Sequence, residues 1–441
     1  MTSRTDSHIG EHRFIAFVVL ACTVASIALI LHVPTFRGDD SPGYLVMRDA
    51  WLHGHSLLHA IFTPDRQRLP LVPLLFLVFP SDQAAKIALS LLSLAAWSSL
   101  GLATLGLLRS ATLRRLGLLV ILSGAYAANV FTWHAFVLSE SLSITTIVAL
   151  VAALLAVLRN PSLRTELCFF AIAVASVLTR ESNIFLVPLF AVPLLARLRG
   201  GVGPRIIFVA TLLACAGAWV DSVRHDRSTL HMSMINNLDD RIVTDPAALA
   251  FFKRHGLPDD PSLAACANKF LWTCPPSPVL DAWTEAHAKG VYTRWLLATF
   301  PQRAVKILRD PVGVLDLYGA NKAVVDLETN SSPEVVGYLR FFSPFNYPSI
   351  FLLALSMAAA LSAARVPDHR REALGLLWAL MCLGTNIFVC YWGDSSDVQR
   401  HCLPTIIGME AICATLLLIG LDLVATNGSA AMKARNALDV A

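Results

Sequence analysis

Apolar residues in this chain gather into long runs instead of alternating or marking one face of a helix. The runs lie near 14–33, 84–108, 116–132, 137–158, 167–179, 184–196, 206–220, 346–364, 373–391 and 403–424. Most approach the roughly 20 residues that cross a hydrocarbon layer about 30 Å thick. Water is absent there, so each run has to satisfy its own backbone, which predicts a helix. The expectation is an all-α polytopic membrane protein of about ten transmembrane helices. Thr179-Arg180-Glu181-Ser182-Asn183 interrupts the pattern between 167 and 196, which predicts two short helices meeting at the outer surface. The first run follows Arg4 and Arg13 and contains Val19-Leu20-Ala21-Cys22. Bulky Leu20 fits a lipoprotein box poorly, so this run is read as an uncleaved anchor.

The polar connections set an orientation. RSATLRR (109–115), RNPSLRT (159–165), RLRGGVGPR (197–205) and ARVPDHRRE (364–372) hold eleven arginines, whereas the short connections on the other side hold two, Arg180 and Arg400. Basic residues accumulate in short cytoplasmic loops. The expected setting is therefore the plasma (inner) membrane, with the N-terminus cytoplasmic. Two long segments then face outward. The first outer loop, 34–83, contains GDDSPGYLVMRDAWLHGHSLLHA and RLPLVPLLFLVFP. The latter piece is too short to span and predicts an interfacial or re-entrant helix. The second segment, 221–345, is large enough for a small extracytoplasmic domain. Asp-Pro at 245–246 and 260–261 and CPPSP at 274–278 mark turns within it. The chain thus divides into an N-terminal transmembrane module (1–220), this domain (221–345) and C-terminal transmembrane helices (346–441).

Charged residues make up 15% of the chain and leave it at +4. The positive charges lie in short clusters between apolar runs, with no basic stripe, so nucleic acid is not an expected partner. GxSxG, a Walker loop, HExxH and a strand-borne GxGxxG are absent, which removes the common soluble mechanisms. Of nine cysteines, most fall in apolar runs. Cys266 and Cys274 instead lie close together in the polar outer segment, where an oxidising compartment permits a disulfide, and they are expected to pair.

Charges beside a membrane need a reason, because burial in the bilayer costs about 2.5–3.5 kcal/mol each. Asp39-Asp40, with Tyr44 just after, suit a general base or a divalent-cation site, and equally a solvated turn capping the next helix. Glu140 in FVLSESLSI lies at the outer end of a run, where the helix dipole alone would favour it. Arg180-Glu181 are either a structural ion pair or a phosphate contact, since the guanidinium fork matches phosphate oxygens. Asp394, Asp397, Arg400 and His401 in YWGDSSDVQRHCLP are either an ordinary polar loop or a lipid-phosphate site. His55 and His59 in HGHSLLH share a helix face, but no neighbouring carboxylate or cysteine completes a metal set, so interfacial packing is the reading. Arg66 and Arg68 read as snorkelling anchors.

Asp40-Ser41-Pro42-Gly43-Tyr44, Arg68-Leu69-Pro70-Leu71-Val72-Pro73, Ser139-Glu140-Ser141, Leu178-Thr179-Arg180-Glu181 and Arg400-His401-Cys402-Leu403-Pro404 together point to one family. Their order resembles the C-type (GT-C) membrane glycosyltransferases, within them the protein mannosyltransferase and aminoarabinose-transferase-like group. That group has an acidic pair and a nearby Tyr after the first span, an Arg-x-Pro-x-x-Pro stretch before a later run, and a late Arg-Tyr-x-x-Pro. Here Ser41 stands where an acidic residue is common, and His401 replaces the Tyr. The resemblance covers most of the chain.

What it implies is transfer of a sugar from a polyprenyl-phosphate-linked donor, embedded in membrane lipid, to a glycan, lipid or protein acceptor on the extracytoplasmic face. Asp40 would be the base, with Asp39 supporting it or helping to hold a divalent cation. Arg180, Arg400 and His401 would hold the lipid phosphate. Tyr44, Arg68, Glu140 and Glu181 would complete the substrate site. Asp40, Glu140, Arg180, Glu181 and Arg400 are accordingly expected to converge. The alternatives are a transporter or flippase of lipid-linked sugars, whose inverted repeats are not visible here, and a non-catalytic membrane scaffold.

Overall fold

The structure is a computed structural model that describes residues 2–38, 40–63, 66–195, 202–225, 227–267, 269, 277–309, 329–330, 332–335, 337, 350–395 and 398–438. In chain order the first helices are α1 (Thr2–His32), α2 (Ser41–Leu52), α3 (Leu57–Ile61), α4 (Leu71–Val78), α5 (Asp82–Leu105), α6 (Ala111–Ser123) and α7 (Ala128–Phe131). Next come α8 (Glu140–Arg159), α9 (Leu163–Val177), α10 (Glu181–Leu195), α11 (Val202–His225) and α12 (Arg227–Asn237). The series continues with α13 (Pro246–Arg254), α14 (Pro261–Cys266), α15 (Pro278–Trp283), α16 (Lys289–Ala298) and α17 (Phe300–Arg309). It closes with α18 (Ile350–Ala364), α19 (Arg370–Gly393) and α20 (Val398–Leu438). Among the described residues the only β contact is an isolated bridge between Phe36 and Phe136.

Each of the ten apolar runs contributes a helix among the described residues. Among the described residues six stretches are long and apolar enough to cross a membrane: Gly10–His32, Asp82–Leu105, Glu140–Arg159, Val202–Arg224, Arg370–Gly393 and Val398–Thr426. Ala111–Tyr126 and Ala128–Ala135, bent by 48°, add a seventh if taken together. The remaining runs form α9, α10 and α18, with 15 residues each. At 1.5 Å per residue such a helix is about 22 Å long, short of the roughly 30 Å hydrocarbon core. The chain is a multi-pass, all-α membrane protein.

α8 is the most enclosed helix, surrounded by α5, α9, α19 and α20. Its approach to α20 depends on Gly408, where an added Cβ would come within 2.5 Å of Ile147. Small residues at such crossings let helices in lipid pack closely. The first loop forms short helices, as its length and prolines predict. Two cations tie it to α5: buried Lys86 donates to the Val33 carbonyl at 2.5 Å, and Arg48 bridges to Asp82 at 3.1 Å.

In the 221–345 segment the Asp-Pro signals are helix starts, not plain turns. Asp245 accepts from the amides of Ala247 and Ala248 at 3.0 and 3.2 Å, with Pro246 as the first helical residue of α13. Asp260 does the same for α14, accepting from the Ser262 amide at 2.8 Å. A capping oxygen followed by proline, which lacks the amide that would be unpaired, explains both. Cys266 is disulfide-bonded, whereas the other half of the expected pair, Cys274, lies outside the described residues. Phe252, Trp283, Tyr292 and Trp295 form the aromatic core of this segment, with Phe252 edge-on to Trp295 at 5.9 Å.

Between α12 and α13 a π-helical turn, Leu238–Ile242, holds buried Asp239. Burial, and then the neighbouring Asp240 charge, push its carboxyl up to about 7. The folded state therefore favours the protonated acid. The stability this contributes is full below the ordinary value of 3.8 and is lost as pH rises through about 7. Replacing Asp239 with Asn should flatten that part of the pH dependence of thermal unfolding; an unchanged profile would mean that another group sets it.

Candidate functional site

The site is assembled where four chain segments meet at one end of the bundle. After α1 the chain runs along the segment that precedes α8. The Phe36 amide donates to Ala135 O at 2.9 Å, the Val137 amide to Phe36 O at 3.2 Å, and the two phenyl rings stack at 4.8 Å. Ser41 Oγ donates to Val137 O at 3.1 Å. These contacts bring the start of α2 beside the start of α8, and so Asp40 beside Glu140.

Asp40 occupies the N-cap position of α2, yet its side chain caps nothing. A capping turn, one of the two readings of GDDSPG, is thus not what this carboxylate does. Its Oδ1 accepts from Arg68 Nη2 at 2.9 Å, and its Oδ2 from Arg400 Nη1 and Nη2 at 3.2 and 3.1 Å. Arg400 continues inward, with Nε 3.6 Å from Glu140 Oε1. The same oxygen accepts from Arg180 Nη1 at 3.1 Å. Arg180 Nη2 lies 2.6 Å from His401 Nδ1. A guanidinium can only donate, so Nδ1 accepts and the ring proton sits on Nε2.

The network is graded in exposure. The side chains of Glu140 and Arg180 are 3% and 7% exposed, Arg400 is 23% and Asp40 is 37%. Asp40 is therefore the carboxylate that a solvent-borne molecule reaches first. Glu140 Oε2 is buried with no hydrogen-bond partner among the described residues.

Tyr44, one turn into α2, is buried beneath Arg68, whose guanidinium carbon lies 5.5 Å from the ring centre. Burial pushes this phenol up to about 12, with the Glu140 and Glu181 charges adding and Arg68 opposing. It stays protonated as a hydrogen-bond donor. Glu181, the first residue of α10, makes no ion pair among the described residues but lies close enough to act on Tyr44. Asp39 and Asp397 fall outside the described residues.

Several supporting residues carry no sequence motif. Arg66, read as a snorkelling anchor, is instead a buried partner of Asp221 at the end of α11, at 2.7 and 2.9 Å. Its other nitrogen donates to the Arg68 carbonyl at 3.1 Å, which fixes the backbone that presents Arg68. Asn183 bonds Ser143 and the Ser176 carbonyl, both at 3.1 Å, holding the Arg180 turn against α8. His134 lies 2.7 Å from Ser141 Oγ, beside Glu140. Asp394 is occupied structurally, accepting from Ser233 Oγ at 2.7 Å and Asn236 Nδ2 at 3.3 Å.

A divalent cation does not fit the described side chains. Both Asp40 oxygens face guanidiniums, and no group of three His, Cys, Asp or Glu side chains comes together among the described residues. His55 and His59 stack ring on ring at 4.5 Å, without a carboxylate to complete a site.

Below the charges, an apolar groove of about 500 Å³ lies between α4, α5, α8 and α9. Its lining includes Leu71, three positions after Arg68, Leu142, two after Glu140, and Ala175, five before Arg180. The groove and the charged cluster are built from the same helix ends.

No family model matches the chain, and no curated protein matches its sequence. Among solved structures it is similar to the archaeal oligosaccharyltransferase AglB from Archaeoglobus fulgidus, in complex with an inhibitory peptide and a dolichol-phosphate. That similarity has a TM-score of 0.44 and 14% identity, covering 96% of this chain and 52% of that one. The chain thus spans about half the length of that structure.

Proposed function

We propose that this chain is a GT-C-type membrane glycosyltransferase that moves a sugar from a polyprenyl-phosphate donor to an acceptor on the extracytoplasmic face. The observation that carries the proposal is the Asp40 carboxylate. It leaves its helix uncapped and is held between two arginines at the open edge of a buried charge network. Arg68 and Arg400 share Asp40 as a counter-ion. A donor phosphate would take over those guanidiniums, because charge-assisted bonds to phosphate oxygens are strong and directional. Asp40 would then be released to act as a base.

In the reaction the acceptor hydroxyl passes its proton to Asp40, and its oxygen bonds to the anomeric carbon. The bond from that carbon to the phosphate oxygen breaks, and polyprenyl phosphate leaves with both electrons. Negative charge grows on the leaving phosphate, and Arg400 and Arg68 are placed to stabilise it. Glu140, Arg180 and His401 hold Arg400 and the phosphate-facing surface in register. Buried Tyr44 supports Arg68. The apolar groove below suits the prenyl chain, with the phosphate at its charged upper end.

The test uses purified protein in lipid nanodiscs, given a polyprenyl-phosphate sugar and candidate acceptors. Acceptor-dependent release of polyprenyl phosphate is the expected result. Movement of intact donor between leaflets without bond cleavage would favour the flippase alternative.

Orientation is tested separately by reporter fusions, motivated by the eleven-to-two arginine asymmetry. Fusions at positions 114, 199 and 370 should report from the cytoplasm, and those near Gly256 and Ser395 from outside. A cytoplasmic signal at Gly256 would put the Asp40 site on the wrong face for this reaction.

A further inference from the structure

We propose that Arg241, on the π-helical turn of the 221–345 segment, is a positioning residue for the donor-phosphate site. It would fix the end of α19, after which α20 presents Arg400 and His401, and would add its charge at that end. The inference rests on the reading above and assigns this segment a part in donor binding.

Side chains from this segment cap the end of α19. The last carbonyls of a helix have no partner within it and must find one outside. Here Tyr292 Oη donates to Trp392 O at 2.7 Å, Asn237 Nδ2 to Gly393 O at 3.0 Å, and Arg241 Nη2 to Asp394 O at 3.3 Å. Arg241 Nη1 donates to Asn237 Oδ1 at 2.9 Å, and its guanidinium lies 4.9 Å from the ring centres of both Tyr391 and Trp392. The orientation of Arg241 is therefore determined by two acceptors and two aromatic faces. α20 begins at Val398, and its first turn carries Arg400 and His401.

A cap alone would not require a cation. Arg241 is buried, yet among the described residues no carboxylate pairs with it: its acceptors are an amide oxygen and a backbone carbonyl. The Asp394 carboxylate is turned to Ser233 and Asn236 instead. A buried cation without an ion pair is costly. Its charge lies toward the site: the guanidinium sits over Tyr391 and Trp392 and bonds the Asp394 carbonyl, six residues before Arg400. An anionic group held at Arg400 would offset that cost, which gives donor binding a reason to depend on this segment.

The experiment compares Arg241→Lys with Arg241→Gln in the full-length protein. Lys keeps the charge, Gln keeps some hydrogen bonding, and neither keeps the stacked fork. Binding of decaprenyl phosphate in mixed micelles and the donor KM and kcat are the readouts. Gln should weaken binding and raise KM by about tenfold, the scale of one charge-assisted contact. Lys should recover much of that loss, with kcat changing less than KM in both. Equal affinities for the two variants would overturn the proposal, as would wild-type donor affinity in Arg241→Gln. If the wild-type protein itself fails to bind decaprenyl phosphate, the glycosyltransferase reading falls first, and this inference falls with it.

Discussion

Asp40→Asn is expected to abolish sugar transfer while leaving the protein folded and inserted. A positioned general base contributes about 10²- to 10⁴-fold to rate, so turnover should fall by that order. Asn keeps the volume, but its one amide oxygen can accept from only one of the two arginine positions, and it cannot take a proton. Stability should change little, for two reasons. Asp40 caps no amide of α2, and its side chain is more than a third exposed, where ion pairs are worth little. Donor binding should persist or tighten, because the guanidiniums lose a competing carboxylate. Turnover within threefold of wild type would show that the base lies elsewhere.

Arg180→Ala is expected to act on the fold as well as on activity. Glu140 is buried, and its second oxygen already has no partner among the described residues. Among the described residues, removing Arg180 leaves Glu140 only the 3.6 Å contact with Arg400. An uncompensated buried charge of this kind costs about 3–5 kcal/mol, enough to lower the unfolding temperature in detergent markedly. The double variant Glu140→Gln/Arg180→Gln removes both charges together. It should recover most of the stability and none of the transfer. Were Arg180→Ala as stable as wild type, the pair would have to be solvated rather than enclosed.

Much of the fold was legible because a bilayer makes hydrophobicity nearly binding. Each apolar run became a helix for want of any other way to satisfy its backbone. Run length was a weaker guide, since the described parts of α9, α10 and α18 are shorter than a full span and the run near 116–132 bends before Ala128. Of the five residues expected to converge, Asp40, Glu140, Arg180 and Arg400 are joined by direct contacts, whereas Glu181 makes no ion pair among the described residues. The expectation rested on the cost of isolated charges at a membrane boundary, together with the motif resemblance. Composition could not show which atoms pair. The Asp40–Arg400 contact spans 360 positions and Arg66–Asp221 spans 155, and neither spacing leaves a local trace. Arg66 looked like a surface anchor because its partner sits at the end of a helix far along the chain. Arg241 carried no signal at all: flanked by Asp239-Asp240 and Ile242, it resembles any solvated turn until Tyr391 and Trp392 close around it. The Asp-Pro pairs were recognised as punctuation but misread as turns, because the same cap-and-proline chemistry begins a helix when amphipathic sequence follows.

The most direct test of the central claim is a cryo-electron microscopy structure of the protein with polyprenyl phosphate bound. The account predicts phosphate density bonded to Arg400 and Arg68 at about 2.7–2.9 Å, the prenyl chain entering the groove between α4, α5, α8 and α9, and Asp40 released from at least one arginine. Phosphate bound away from both arginines, with Asp40 still held between them, would contradict it.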